Sequence, residues 1–584
     1  MSARPSDDAG LFAVVGVFGL FVALAIGGLL SALLSGHGLP TRHAAGAITA
    51  FAHLRNPSLA WRVPVGPAWL YWLVSAAVLG TASIVATRAV RFVTSDARAR
   101  ADDSSRAGGV ADRGEILRAA GVKPLRARGR ILRPSLQKPE VRDLGFFLGT
   151  SRNVSCFASV EDSTVILGPP RSGKGHNLVI PFILDAPGAV VTTSTRPDNL
   201  AVTMTERRAR GPVGVFDPQG LAAGVESALR WSPIRGCEQP ETAMLRARAL
   251  CAGVSANVTD ANFWQQQTEV VLRCLLQAAA VSGRGVSDLF RWSLSPDEAK
   301  EAVELLRASP RATPLWSRAL GAVVGLEPRQ RANIWSVVSS VCAPFSSPRV
   351  IEQLTPVPGA EFEPEVFLRE NGTLYLLGTS SGAMATSNIV SALIEDVVET
   401  ARRLASRSAG ARLDPPLSLI LDEAANYPMP SLGSLMSEGG GTGITTVAVF
   451  QSLAQARDRW GVEQAQAIWD SATTKIILGG SSNANDLRDL AHLIGDRETR
   501  ELSTTRQAGG GRNVTESSRE RAVLTPSDIR LISPGHALLL LRAARPIMLK
   551  LRPWTARRDA SELTEQRALV EDALRTGATH SSWR

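Results

Sequence analysis

Short apolar runs alternate with longer helical segments over most of the chain after its first 142 residues. Each run is continuously apolar, which is typical of parallel strands that are buried on both faces. Helices between such strands imply right-handed crossovers and a layered α/β fold. The strands that we predict are STVILG at Ser163, GAVVTTS at Gly188, VGVFDP at Val213, TLYLLG at Thr373, LSLILDE at Leu417, TTVAVFQ at Thr445 and TKIILGG at Thr474.

One interval, from Asn262 to Val350, has no strand pattern and reads as helical throughout. We therefore predict an all-α domain inserted into the α/β domain.

The stretch HALLLLRAARPIMLKLRPW from His536 predicts a closing antiparallel hairpin, and the polar tract Ala508–Arg521 predicts a mobile loop. The predicted first α/β part, insert and second α/β part are residues 143–261, 262–350 and 351–584.

Two long apolar runs lie near the N-terminus. The first, Leu11–Leu34, is uncharged and long enough to cross roughly 30 Å of hydrocarbon as a helix. A signal peptide is the alternative, but its apolar region would be shorter and its leading segment more basic. The second run, Ala68–Thr87, begins with three aromatic residues, as an interfacial belt would. We predict two membrane spans within a membrane region at residues 1–94.

Basic residues after the second run indicate the orientation of the chain. A dense series of arginines starts at Arg88 and continues through Arg142, which marks the cytoplasmic side of a membrane. Two spans then place both termini in the cytoplasm of a protein of the cell membrane. Residues 95–142 are predicted to be a basic membrane-proximal linker. Contact with lipid headgroups or nucleic acid and a merely solvated connector are equally compatible with its composition.

The formal net charge of +10 is carried mainly by arginine. A basic excess suits nucleic acid or an anionic membrane surface, although genomic base composition explains an arginine bias equally well. The five cysteines form no CxxC pair and have no histidine at metal-ligand spacing. This pattern argues against a structural zinc site or a disulfide framework.

The segment VILGPPRSGKGHN, which begins at Val165, fits a phosphate-binding loop at all but one position. Backbone N–H groups of such a loop point at phosphate oxygens, and its lysine, here Lys174, reaches the β- and γ-phosphates. Gly175 stands where the motif has serine or threonine. A glycine-rich turn without a ligand is the alternative. The predicted nucleotide-binding residues are Gly168, Pro169, Pro170, Arg171, Ser172, Gly173, Lys174, Gly175 and His176.

Two later strand ends carry side chains that would complete a nucleotide site. Asp422 and Glu423 follow LSLIL, where the first would hold Mg²⁺, usually through water, and the second would polarise the attacking water. A helix N-cap is the alternative for this pair. Gln451 ends the next strand and would contact the γ-phosphate or the water, or is only a polar strand end. The predicted catalytic residues are Lys174, Glu423 and Gln451, with Asp422 as the metal residue.

With these elements, the chain resembles the TraG-type coupling proteins of type IV secretion and conjugation, within the FtsK/HerA group of RecA-like motor ATPases. The two spans, the helical insert and the stretches GPPRSGKG, APGAVVTTSTRPDN, FDP, LILDEAAN, FQSLAQ and NANDLRDLAHLIG carry the resemblance. It implies a RecA-like P-loop domain that uses ATP and Mg²⁺. It also implies a membrane-anchored homo-hexamer that moves DNA without sequence specificity, or DNA with an attached relaxase, toward inner-membrane secretion components. The insert would recognise the substrate complex.

The chain departs from the family pattern in one place and follows a branch of it in another. TraG-like proteins tolerate glycine after the lysine, so Gly175 does not indicate a dead site, and water can replace the missing hydroxyl on Mg²⁺. Some members carry a trans-acting arginine before the glutamine strand. Here that stretch is SEGGGTGI, which leaves Arg488 and Arg497 as candidates, or hydrolysis that stays weak until a partner supplies the charge. A motor for protein substrates only, and a nucleotide-binding membrane scaffold without translocase activity, are the other functions compatible with the sequence.

Overall fold

A computed structural model describes residues 6–38, 47, 49–83, 108–222, 224–225, 229–252, 261–357, 359–378, 386–506 and 512–576. The chain divides into two compact units, Met1–Ser104 and Ser105–Arg584. The predicted arginine series between Arg88 and Arg100, and residues 84–87 of the predicted second span, lie outside the described residues.

The N-terminal unit contains the helix Ser6–Leu34, the short helix Pro57–Trp61 and helical residues 68–83. Gly27 and Gly28 allow close packing here, because an added Cβ would lie 2.0 Å from Ser75 Oγ and 2.2 Å from Trp61 Cζ2, respectively. Within the described residues, none of the helices combines the length and the apolar character needed to cross a membrane. The two spans stay a prediction.

The second unit is built on one large β-sheet and a separate β-ribbon. In chain order, its strands are β1 Gly145–Ser151, β2 Val154–Ser159, β3 Thr164–Leu167, β4 Val190–Ser194, β5 Val213–Phe216, β6 Thr373–Leu377, β7 Leu417–Leu421, β8 Ile444–Phe450, β9 Thr474–Leu478, β10 Asp496–Arg506, β11 Arg512–Ala522, β12 His536–Leu541 and β13 Ile547–Lys550. The described strands of the sheet follow the order β2-β1-β13-β12-β9-β3-β8-β7-β4-β6-β5, and β10 pairs with β11.

The central strands run parallel from β9 through β3, β8, β7, β4 and β6 to β5. Every residue of β3, β4, β6, β7 and β8 is buried, as continuous apolar runs require. The predicted strands and the α/β fold class are thereby confirmed. The predicted closing hairpin is also confirmed, because β12 pairs antiparallel with both β13 and β9.

The helices of the second unit cover the sheet and form the insert. Their bounds are Arg113–Ala119, Val122–Ala127, Gly129–Leu132, Val141–Leu144, Ile180–Asp185, Asp198–Arg208, Pro240–Cys251, Ala261–Ser282, Val286–Leu294, Lys300–Ala308, Trp316–Val324, Pro328–Cys342, Pro348–Gln353, Pro364–Arg369, Ser387–Ser406, Leu432–Ser434, Leu453–Trp460, Val462–Ser471, Ala484–Ile494, Pro526–Arg530 and Ala560–Thr576.

The described residues of the insert, 262–350, contain helices and no strand, as predicted. However, the insert is not separately packed. Its helix Ala261–Ser282 contacts the helix Pro240–Cys251, which in turn contacts Ser387–Ser406. Leu275 and Trp292 of the insert belong to the same apolar core as Leu419 of the sheet. Deleting the insert would therefore expose apolar surface of the α/β domain.

The prediction of a linker at 95–142 is wrong for its described part, residues 108–142. This part forms short helices whose apolar residues Ile116, Leu125 and Leu132 are buried in one core with Phe146 of β1. Its backbone is also joined to the sheet, since Phe157 N–H donates to the Ala120 carbonyl at 2.8 Å. The high density of arginine in this part does not reveal that its apolar side chains pack against the sheet.

The prediction of a mobile loop at Ala508–Arg521 is also wrong where the chain is described. Residues 512–521 belong to β11, which pairs antiparallel with β10 from Asp496↔Ala522 to Arg506↔Arg512. The prediction rested on polar composition alone. A two-stranded ribbon satisfies its backbone groups by pairing and needs no continuous apolar run.

Candidate nucleotide site

The predicted phosphate loop lies between β3 and a helical segment that starts with the π-helical turn Gly175–Val179. Lys174 Nζ donates to the carbonyl oxygens of Gly168 at 2.5 Å and Pro169 at 3.0 Å, so the loop folds around the amine. Gly173 has a φ of 86°, and a Cβ there would lie 2.5 Å from Asn177 Nδ2. Glycine is therefore required at this turn.

One group in the loop fits a ligand that supplies hydrogen-bonding atoms. The Ser172 hydroxyl is buried and has no hydrogen-bond partner among the described residues. Buried polar atoms are normally paired, so an unpaired one inside a phosphate-loop sequence favours a polar ligand at this place.

The two carboxylates Asp422 and Glu423 follow β7 directly. Asn199 Nδ2 lies 3.4 Å from Asp422 Oδ2, and Glu423 N–H donates to Asp422 Oδ1 at 3.1 Å. Thr195 Oγ1 and Asn426 Nδ2 each donate to Glu423 Oε2 at 2.9 Å. Glu423 has a φ of 52°, in the left-handed region that non-glycine residues rarely adopt. This strained backbone and the paired hydrogen bonds fix the direction of the Glu423 carboxylate.

Burial and like charge make Asp422 an unusual acid. Burial, followed by the charge of Glu423, raises the pKa of Asp422 to about 6, against the hydrogen bond from Asn199 and the charge of Lys174. Burial lowers the pKa of Lys174, while Asp422 and Glu423 oppose that shift. Two carboxylates in a partly buried cleft suit a divalent cation, and a nearby half-buried amine suits a polyphosphate. The residues therefore fit Mg²⁺ with a nucleotide.

Gln451 follows β8, which lies between β3 and β7 in the sheet. Its Nε2 lies 3.4 Å from Glu423 Oε1. The sheet thus brings Gln451 to the predicted water-polarising residue. The chemical roles of Lys174, Asp422, Glu423 and Gln451 stay predictions.

A cavity of about 330 Å³ opens beside Asp422 and Glu423, and neither Lys174 nor Gln451 is among the described residues that line it. Gly175, His176, Asp422 and Glu423 line it, together with Asn199 at the start of the helix after β4. The cavity lies at the carboxyl ends of parallel strands, where ligands bind in open α/β sheets.

Sequence analysis missed several residues that line the cavity. Thr195 and Asn199 belong to the polar run TTSTRPDN after β4, and this run was the available signal. Trp554 and Arg567 come from the end of the chain and gave no local signal. His176 Nε2 lies 3.3 Å from Thr555 Oγ1, and its ring meets Trp554 edge-to-face at 5.8 Å. The C-terminal segment therefore forms one wall of the site.

His176 is one of the predicted nucleotide-binding residues, and its surroundings favour the neutral imidazole. Burial, and then the positive charge of Arg567, lower the pKa of His176. A neutral imidazole beside Trp554 offers a flat, partly apolar surface and not a fixed charge.

The two candidate trans-acting arginines are not among the described residues that line the cavity. Arg488 Nη1 bonds Asn485 Oδ1 at 3.3 Å in the same helix, and Arg497 Nη1 donates to the Gly108 carbonyl at 3.1 Å. Among the described residues, Arg196 and Arg567 line the cavity instead. A trans role for Arg488 or Arg497 stays a prediction, because it concerns a neighbouring subunit.

One segment of the chain matches a known protein family. Residues 416–534 match a family model described as the TraM recognition site of TraD and TraG. A sequence search of curated proteins found no match.

Solved structures extend the comparison to most of the chain. The unbound bacterial conjugative coupling protein TrwBΔN70 is 17% identical with a TM-score of 0.52, over 74% of this chain and 92% of that chain. The plasmid coupling protein TrwB with ADP and Mg²⁺ is 17% identical with a TM-score of 0.50, over 73% and 91%. TrwB with the ATP analogue ADPNP is 18% identical with a TM-score of 0.50, over 74% and 93%. The predicted resemblance is thus confirmed: residues 416–534 match a family model of TraD and TraG, and the fold is similar to that of a conjugative coupling protein.

Proposed function

We propose that this protein is an ATP-driven motor that recruits DNA or a nucleoprotein substrate and moves it to a type IV secretion or conjugation channel. The observation that carries the proposal is one cavity that joins the end of the phosphate loop to Asp422 and Glu423, with Gln451 beside Glu423. The nucleotide complexes of the similar protein TrwB support ATP and Mg²⁺ as ligands.

Each residue of the site has its own role in phosphoryl transfer, a reaction in which positioning and charge stabilisation dominate catalysis. When nucleotide binds, the Lys174 amine leaves the two loop carbonyls and donates hydrogen bonds to the β- and γ-phosphates. Glu423 accepts a proton from water as the water oxygen bonds to the γ-phosphorus and the bond to the β–γ bridging oxygen breaks, which yields ADP and phosphate. Asp422 would hold Mg²⁺, which when bound neutralises the charge of the phosphates. Gln451 contacts Glu423 and can transmit the state of the γ-phosphate to β8.

Membrane anchoring and a homo-hexamer complete the proposed motor. The uncharged run Leu11–Leu34 and the aromatic-rich run Ala68–Thr87 support two spans with both termini in the cytoplasm. Contacts with membrane lipid and with inner-membrane secretion components follow from that placement. The net charge of +10 is compatible with DNA passing over the basic surface of an assembled ring.

ATP hydrolysis with and without DNA separates the proposed function from its two rivals. We expect the full-length protein in detergent to hydrolyse ATP and DNA to raise the rate several-fold. A motor for protein substrates only would hydrolyse ATP without a response to DNA. A scaffold would bind nucleotide without turnover. Either of the last two results would contradict the proposal.

A relaxosome protein is the proposed partner of the face formed by part of residues 416–534. The matching family model describes a TraM recognition site, and three strands of this segment, β7, β8 and β9, lie inside the sheet. Recognition must therefore use its outer parts. The helices Ala484–Ile494 and Pro526–Arg530 pack together there, and Leu493 and Leu531 are 58% and 70% exposed. Exposed apolar side chains on neighbouring helices suit a protein partner.

The helical insert is the second candidate for substrate recognition. Its acidic and basic residues pair with each other, as Arg291 does with Asp288, Glu298 and Glu301. A phosphate track would need a dominant basic face, so this mixed surface favours a protein over bare DNA.

One experiment compares the two recognition regions. We expect Leu493→Asp with Leu531→Asp to reduce substrate transfer at least about tenfold and to leave ATP hydrolysis within about twofold, because a buried charge disrupts an apolar contact. The matched pair Arg318→Glu with Arg329→Glu changes exposed arginines of the insert. Transfer should be measured in cells and hydrolysis on purified protein. Loss of transfer in the insert pair alone would place recognition on the insert.

A further inference from the structure

The fold does not require glycine at position 175, where the phosphate-loop motif has a residue with a hydroxyl. In a phosphate loop, the serine or threonine after the lysine places its hydroxyl on Mg²⁺. A Cβ added at Gly175 would meet only Asn199 Oδ1, at an ordinary contact distance of 3.8 Å. Gly175 also lies in a helical turn, which any residue tolerates. The space of the absent side chain is therefore open, and the Asn199 carboxamide oxygen faces it.

Asn199 is held in this place by the fold. It is 4% exposed and lies in the first turn of the helix Asp198–Arg208. Its Nδ2 faces Asp422 Oδ2 at 3.4 Å. An amide nitrogen beside a carboxylate is the favourable orientation, and it turns the amide oxygen toward Gly175 and the cavity.

Among the described residues, and leaving its chain neighbours aside, the Asn199 amide oxygen is the only side-chain oxygen within 4 Å of a Cβ added at Gly175. Thr195 Oγ1 donates to Glu423, and Thr193 Oγ1 donates to the Asp422 carbonyl at 2.8 Å. Asp198 is mostly exposed and pairs with Arg196 at 3.5 Å. Asn199 is therefore the buried neutral oxygen nearest to the position that the hydroxyl would take.

We propose that Asn199 supplies the neutral side-chain oxygen on the magnesium side of the nucleotide site, in place of the hydroxyl that Gly175 lacks. The inference rests on the proposed nucleotide-binding function. Mg²⁺ prefers hard oxygen ligands, and a carboxamide oxygen is neutral like a hydroxyl. The charge balance of a phosphate loop is thus kept, with Asp422 as the nearby anion.

The test is the Mg²⁺ dependence of nucleotide affinity in the full-length protein, measured with a fluorescent ADP analogue in Mg²⁺ and in EDTA. We expect Asn199→Ala to weaken binding in Mg²⁺ about 10-fold or more and to leave binding in EDTA unchanged, because loss of a metal-supporting group typically has that effect. The double variant Asn199→Ala with Gly175→Ser should regain Mg²⁺-dependent affinity. Asn333→Ala, an exposed position in the insert, is the matched control.

The outcomes separate this inference from the proposed function. Failure of the unchanged protein to bind any nucleotide would overturn both. Mg²⁺-dependent binding that Asn199→Ala does not alter would overturn the inference alone. A loss in Mg²⁺ and in EDTA together, or a loss that Gly175→Ser does not restore, would show that Asn199 is only structural.

Discussion

Replacement of Lys174 by alanine is expected to lower ATP hydrolysis about 100- to 1,000-fold, the effect of removing one preorganised charge from a developing anion. Lys174 is partly buried, and its amine already donates to the carbonyls of Gly168 and Pro169, so it is positioned before a nucleotide arrives. Without it, the phosphate oxygens lose the cation that the loop supplies. Steady-state phosphate release by the purified full-length protein measures the effect.

Lys300→Ala is the matched control, because Lys300 is an exposed lysine that pairs with Asp297 in the insert. Its hydrolysis rate should equal that of the unchanged protein. Thermal unfolding should be similar for both variants, since Lys174 bonds only to its own loop. If Lys174→Ala and the unchanged protein hydrolysed ATP at equal rates, the loop would have no role in catalysis.

The parts of the site that were predictable are those set by sheet geometry. Continuous apolar runs identified β3, β7 and β8, and the carboxyl ends of parallel strands share one edge. Side chains that follow those strands are therefore expected to lie close together in space, although no local sequence pattern relates their positions along the chain. Glu423 and Gln451 do meet, at 3.4 Å.

Other residues of the site could not be derived, because tertiary packing alone brings them there. Asn199 becomes significant only through its distances to Asp422 and Gly175. Arg567 reaches the cavity because the helix Ala560–Thr576 packs on the helix Asp198–Arg208, far away in the sequence. Nothing in the composition of that last helix predicts where it packs.

The two wrong predictions of the fold have one cause: a polar composition does not by itself indicate a segment without structure. In residues 108–142, the buried Ile116 and Leu125 anchor short helices that are rich in arginine. In the β10–β11 ribbon, backbone pairing orders a polar segment. The charge of a segment indicates which of its side chains face solvent, but it does not show whether the segment packs against the core or pairs with a neighbour.

The carboxylates Asp422 and Glu423 are expected to fail in different ways when changed to their amides. Glu423→Gln should bind ATP with Mg²⁺ and hydrolyse it about 100-fold or more slowly, because the group that accepts the proton is gone. Asp422→Asn should weaken Mg²⁺-dependent binding itself about 10- to 100-fold, as loss of a metal-supporting carboxylate does. Nucleotide affinity in Mg²⁺ and in EDTA, with single-turnover hydrolysis, separates the two effects.

The contacts of the two carboxylates give the physical basis for this division. Glu423 receives hydrogen bonds from Thr195, Asn426 and Gln451, which fix the direction of its carboxylate. Burial raises the pKa of Asp422, so this carboxylate is costly to ionise and a bound cation would offset that cost. Glu438→Gln, at an exposed acid, is the control and should change neither quantity. Equal affinities and equal rates for Asp422→Asn and Glu423→Gln would mean that the pair acts as a single unit, with no separate metal and proton roles.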